Sequence, residues 1–386
     1  MKSTPFRFGI DTLCGQHADW LKGRRVALVA NPASRSVSLA PSANLLVESG
    51  VNLVGLFGPE HGYNGRANAG EAVANARHPE LHIPVYSLYG HTRKPTAAML
   101  KDVDVLVFDL QDLGARPYTF VSTLRYLLEA AAERGKTVVV ADRPSPLAAV
   151  VDGPMLDPAF ESFVGMVRAP VVYGMTPGET ACWLKNDLKL DLDLHVAPVT
   201  GYQRNSEPTE AWAEWVPPSP AILSRQCALC FPITVFLEAL PAIDHGRGTD
   251  APFQHIGAPW LDSEALCRDL QQMDFPGIEF TPGPYRAMTG AYKGKTVKGV
   301  TIRVIDASMY LPVQTAVGLI GAIQQRHGRE ALWQHAETRE KFFDQLMGTD
   351  SVRRAIQGGR SLVEMTPVWA LQSADFWENR KACLLY

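Results

Sequence analysis

Glu60 stands between Pro59 and His61 in a loop bounded by glycines, Gly58-Pro59-Glu60-His61-Gly62. Glycines let a backbone turn sharply and approach a ligand, and the proline restricts the loop. A carboxyl group shielded from water holds its proton more tightly and can protonate a leaving oxygen. The alternative is a turn carboxylate facing solvent. A second dense stretch, residues 109–118 (DLQDLGARPY), offers Asp109 and Asp112 as a second carboxylate, acting as base, nucleophile or electrostatic stabiliser. Gln111, Arg116 and Tyr118 in the same stretch can bind sugar hydroxyls or an anion. Either aspartate could instead pair with Arg116 or cap the helix that follows. Arg93, Lys94 and Arg143 add positive charge suited to a carboxylate, although a surface salt bridge accounts for each alone. Trp260 can stack on a sugar face or fill the core.

The elements that must position these groups are legible as alternation. Residues 25–30 (RVALVA), 52–57 (NLVGLF), 84–88, 104–109 (DVLVFD) and 137–141 (TVVVA) read as strands. Helical stretches at 42–49, 95–100 and 119–134 separate them, the last ending at Gly135. Continuous apolar strands between helices predict a parallel sheet covered on both faces. Ligands bind outside the carboxyl ends of such strands. Asn31, the 58–62 loop, Asp109 with Gln111 and Asp112, and Asp142 with Arg143 all follow strands directly. From about Gly153 prolines multiply, an aromatic-proline loop spans 212–220, and the tail mixes a strand at 300–305 with helices near 313–325, 337–346, 352–357 and 374–384. The reading is an α/β domain over residues 1–152, carrying the candidate loops, and an α+β domain over 153–386.

Composition narrows the function classes. The chain has 386 residues, 46% hydrophobic and 20% charged, with net charge −3. It lacks a basic cluster that could track a phosphate backbone, so nucleic acid is not an expected partner. No apolar run is long enough to span a bilayer, and the N-terminus lacks the pattern of a signal peptide; the expectation is a cytoplasmic protein without a membrane partner. Six scattered cysteines read as reduced thiols, with Cys227 and Cys230 in an apolar stretch better suited to a core than to zinc. Residues 246–251 fit a G-x-G-x-x-A string but run into Pro252, and 290–296 is one residue short of a phosphate loop. G-x-S-x-G and H-E-x-x-H are absent. Neither a metal nor an organic cofactor is expected.

Taken in order, several strings resemble one family. They are 56–62 (LFGPEHG), 84–90 (PVYSLYG), 92–96 (TRKPT), 104–116 (DVLVFDLQDLGAR), 142–144 (DRP), 162–165 (SFVG), 174–176 (GMT), 215–220 (WVPPSP), 246–249 (GRGT) and 256–260 (IGAPW). The chain is similar to the NamZ-type exo-β-N-acetylmuramidases from about Gly9 to Tyr386. The resemblance implies a Rossmann-like α/β domain that carries the catalytic loops, joined to a smaller α+β domain that closes the active-site cleft between them, and release of N-acetylmuramic acid (MurNAc) from the non-reducing end of peptidoglycan fragments. It maps the family's glutamate onto Glu60. The family usually reads DRPNPLGG where this chain has residues 142–149 (DRPSPLAA), and the segment after Leu237-Glu238 also differs.

These readings converge on glycoside hydrolysis, which commonly uses two carboxyl groups. The expected catalytic groups are Glu60 as acid, with Asp109 or Asp112 assisting. Expected to bind a small carbohydrate are His61, Arg93, Lys94, Gln111, Arg116, Tyr118, Asp142, Arg143, Arg247 and Trp260. MurNAc carries a lactyl carboxylate, which would give the arginines a purpose. The rivals are a hydrolase or lyase acting on another acidic sugar, and a muropeptide-binding protein without catalysis.

Overall fold

The computed structural model describes residues 4–205, 212 and 214–386; residues 1–3 and parts of the stretch up to 220, including some of the aromatic-proline loop, lie outside it. A seven-stranded sheet forms the larger layer. Its strands are β1 (Arg25–Val29), β2 (Asn52–Gly58), β3 (Ala76–Arg77), β4 (Pro84–Ser87), β5 (Val105–Phe108), β6 (Thr137–Ala141) and, after an intervening hairpin, β9 (Leu194–Ala197). Their spatial order is β3-β4-β2-β1-β5-β6-β9, and every pairing except β3 with β4 is parallel. The apolar runs predict these strands because both faces are covered: all four residues of β5 and all five of β6 are buried. The last strand comes from beyond residue 152, so the sheet takes in more chain than the sequence alone suggested.

The hairpin is β7 (Val151–Met155) with β8 (Pro170–Tyr173), antiparallel. A second, three-stranded antiparallel sheet is built from β10 (His255–Ala258), β11 (Ile278–Arg286) and β12 (Thr296–Val304), in the order β10-β12-β11. Helices Pro312–His327, Glu340–Met347 and Ser351–Gln357 match the predicted tail. The final helix, Leu362–Arg380, begins twelve residues before the expected 374. Its start is fixed by a Ser361–Glu364 capping box, and Pro367 is tolerated on its exposed side. Cys227 and Cys230 are buried in helix Arg225–Thr234, as a core pair should be.

Buried polar joints tie the early and late chain together. The Arg116 guanidinium is fully buried and donates from Nη2 to the carbonyls of Met347 (2.8 Å) and Pro154 (3.3 Å). Burial pushes its pKa down to about 9. Gly348, at φ 79° after helix Glu340–Met347, leaves room for it; a Cβ there would sit 2.5 Å from Arg116 Nη1. Asp152 accepts from the backbone N–H groups of Val313 (2.7 Å) and Gln314 (3.1 Å).

Candidate active site

A cavity of about 530 Å³ opens beside the end of β2, in the size range of ligand pockets. The 58–62 loop forms part of its wall. Gly58 ends β2 where a Cβ would meet the Tyr63 backbone nitrogen at 2.4 Å, so the chain can turn only without a side chain. The turn closes with Gly62 N–H donating to the Pro59 carbonyl at 2.9 Å. His61 takes the left-handed φ of 71°, uncommon for a residue with a Cβ, and its Nδ1 lies 2.8 Å from the Ala67 carbonyl. Glu60 is thereby aimed inward and is 8% exposed. Its Oε1 accepts from the Gly70 N–H (2.9 Å) and its Oε2 from the Thr119 hydroxyl (2.6 Å).

Four more of the expected residues line the same cavity: His61, Arg93, Tyr118 and Arg247. The Arg93 guanidinium lies 4.3 Å from the Phe163 ring centroid and 5.0 Å from that of Tyr89, and forms no ion pair among the described residues. Burial raises the pKa of the Tyr89 hydroxyl, and the Glu60 charge adds to the effect. Tyr118 packs edge-on against Phe231, with burial holding its hydroxyl well above the usual phenol range.

The other expected residues do not reach this cavity. The carboxyl edge of β1, β5 and β6 is filled by a polar network that consumes them. Asp109 is fully buried, accepting from Ser42 Oγ (2.5 Å) and from Arg143 Nε (2.5 Å) and Nη2 (3.1 Å). Arg143 is therefore neutralised inside the fold. Asp112 accepts from Tyr173 Oη (2.5 Å) and the Gly114 N–H (2.9 Å), and burial pushes its pKa up to about 6. Gln111 donates to the carbonyls of Asp112 and Pro144. Asp142, also raised to about 6 by burial, accepts from Thr176 Oγ1 (2.8 Å), the Gly178 N–H (2.7 Å) and Tyr386 Oη (2.8 Å). Lys94 is paired with Glu129 and Glu133, Arg116 holds the two carbonyls described above, and Trp260 donates to Tyr292 Oη at 3.3 Å. Placement after a strand located polar groups correctly but could not tell which ones the fold itself would consume.

Sequence reasoning missed Thr119, Gly70, Phe163, Arg339 and Glu238. Thr119 precedes helix Phe120–Ala132 yet makes no side-chain cap, which frees its hydroxyl for Glu60. Glu238 sits in the short 3₁₀ turn Val235–Ala239 and lines the cavity. A signal existed: it is the single acid in the apolar run 227–243. Its Oε1 is ion-paired with Arg247 Nη2, and its main-chain carbonyl accepts from Arg339 Nη2 at 2.7 Å. Among the described residues no three His, Cys, Asp or Glu side chains gather as a metal site, and no helix is long and apolar enough to cross a membrane.

Comparison with known proteins bears on this cavity. Residues 26–226 match the model for the N-terminal part of the exo-β-N-acetylmuramidase NamZ, and residues 229–386 that for its C-terminal part. The chain is 35% identical over its full length to the peptidoglycan β-N-acetylmuramidase NamZ of Bacillus subtilis (strain 168), covering 92% of that protein. A crystal structure of a DUF1343 family protein from Bacteroides fragilis NCTC 9343 superposes with a TM-score of 0.92 at 32% identity, covering 99% of both chains. A second DUF1343 family protein from the same organism gives 0.77 at 27% identity, again over 99% of both.

Proposed function

The chain belongs to the exo-β-N-acetylmuramidase NamZ family, and from that premise we propose that it is an exo-acting glycoside hydrolase that releases MurNAc from the non-reducing end of peptidoglycan fragments. The observation that carries the reading is the Glu60 carboxyl, nearly buried on the cavity wall and held at both oxygens. The Gly70 N–H is a donor that cannot reverse, so Oε1 stays an acceptor. The Thr119 hydroxyl can turn, so Oε2 is the oxygen able to carry a proton for the leaving sugar oxygen. Arg93, stacked between two rings and without an acidic partner among the described residues, supplies the positive charge for a lactyl carboxylate. Tyr118 and Phe163 give the sugar apolar walls.

The substrate is accordingly a small carbohydrate, a muropeptide or a MurNAc–GlcNAc fragment. All six cysteines are unpaired, as suits a reducing compartment, and the cytoplasm is the proposed site of action. The 145–149 loop, which departs from the family pattern, supplies no cavity-lining residue; Ser145, Leu147 and Ala148 are buried elsewhere.

The test is release of free MurNAc from a MurNAc–GlcNAc disaccharide. Glu60→Gln keeps an acceptor for Gly70 and removes the proton, so turnover is expected to fall by about a thousandfold with ligand affinity and melting temperature retained. Saturable binding by the unmodified protein with no turnover at any pH would favour a binding protein instead.

A further inference from the structure

We propose that Glu238 is the second catalytic carboxylate, an inference that rests on the glycosidase reading above. The transition state of glycoside hydrolysis places positive charge on the anomeric carbon and ring oxygen, so a carboxylate beside that centre is needed as well as the acid. The cavity lining contains two carboxyl groups among the described residues, Glu60 and Glu238. Asp109 and Asp112, the candidates nearest in sequence, are enclosed by their own hydrogen bonds.

The surroundings of Glu238 differ from those of a structural acid. Asp109 has both oxygens engaged and no exposed side-chain surface. Glu238 uses Oε1 for Arg247, while Oε2 accepts no hydrogen bond from the described residues, and its side chain remains 21% exposed. The backbone beneath it is pinned twice: its own carbonyl accepts from Arg339 Nη2, and the Ala239 carbonyl accepts from the Arg339 N–H at 3.0 Å. Arg247 is itself braced, with its guanidinium carbon 5.3 Å from the Phe253 ring centroid. A fixed carboxylate with one oxygen free and a cation behind the other presents directed negative charge to a ligand without needing to reorganise. Glu60 comes from the parallel-sheet layer and Glu238 from the later chain, so the substrate would lie between groups supplied by both.

An activated substrate, 4-nitrophenyl β-MurNAc, separates this role from a structural one. Glu238→Ala and Glu238→Gln are expected to lose about a thousandfold in kcat with melting temperature within a few degrees of the unmodified protein. Added sodium azide is expected to restore turnover of Glu238→Ala by adding to the anomeric carbon as nitrophenolate leaves, giving MurNAc azide. Arg247→Ala should lose less and show no azide response. Activity of Glu238→Ala within tenfold of the unmodified protein would overturn the proposal. So would a loss equal to that of Arg247→Ala with no azide product, because Glu238 would then serve only to hold Arg247. Inactivity of the unmodified protein on every MurNAc glycoside would instead defeat the glycosidase reading, which keeps the two failures distinct.

Discussion

Replacing Asp112 by Asn tests whether the most conspicuous acid of the 109–118 stretch is chemical or structural. Folded Asp112 releases its proton near pH 6 because burial disfavours the charge, against an ordinary value of 3.8. Between those values the folded protein binds more protons than the unfolded chain, so stability falls as pH rises. The gap of roughly two pH units is worth about 3 kcal/mol, fully present below about pH 4 and lost as pH passes about 6. Asn keeps an oxygen for Tyr173 Oη and the Gly114 N–H but cannot ionise. Any fixed cost of its NH₂ group is the same at every pH and cancels when two pH values are compared. Urea unfolding at about pH 4 and pH 7 should therefore show the variant gaining about 2–3 kcal/mol on the unmodified protein between them. Asp142 and Asp152, raised to about 6 by the same burial, leave a residual slope of the same sign in both proteins. MurNAc release should be unchanged within a few-fold, since Asp112 lies outside the cavity. Parallel stability profiles would refute the electrostatic reasoning, and a hundredfold loss of turnover with an unaltered fold would return Asp112 to the catalytic centre.

Thr119→Val removes the hydroxyl that positions Glu60 Oε2 and should cost about tenfold in kcat, the worth of one hydrogen bond; Thr119→Ser should recover most of it, and circular dichroism should show helix Phe120–Ala132 intact. Gly348→Ala forces a Cβ into a left-handed position against the Arg116 guanidinium, so thermal melting should drop by an amount corresponding to about 2 kcal/mol or more.

The sheet was readable because its signal is local. Residues 105–108 and 138–141 are apolar on both faces, a pattern that suits a covered parallel strand. The Glu60 loop was readable too, since glycines at both ends of a strand-terminal acid announce a forced turn. What the sequence did not disclose was competition among polar groups. Asp109 and Glu60 both follow strands, yet Ser42 and Arg143 close around one, while Gly70 and Thr119 hold the other open to a cavity. These partners lie up to 67 residues away from the acids they serve, and no local pattern carries that information. Glu238 was hidden for the opposite reason: an acid inside an apolar run looks like part of the core until the fold turns it toward a cavity. The helix expected from 374 starts at Leu362 instead, where the Ser361–Glu364 capping box sets its first turn.

Arg116 sets a rule for recombining members of this family. One nitrogen of its buried guanidinium donates to main-chain carbonyls, including that of Met347 from beyond residue 229, and its space is secured by the missing side chain at Gly348. Grafting a relative's C-terminal half onto this N-terminal half preserves the joint only if the graft brings a carbonyl to that place with a glycine directly after it. The side chain at position 347 can vary as far as this joint is concerned, because the arginine reads backbone. Designers of chimeras, and natural recombination alike, must keep this short stretch of main chain as well as the helix start that meets Asp152.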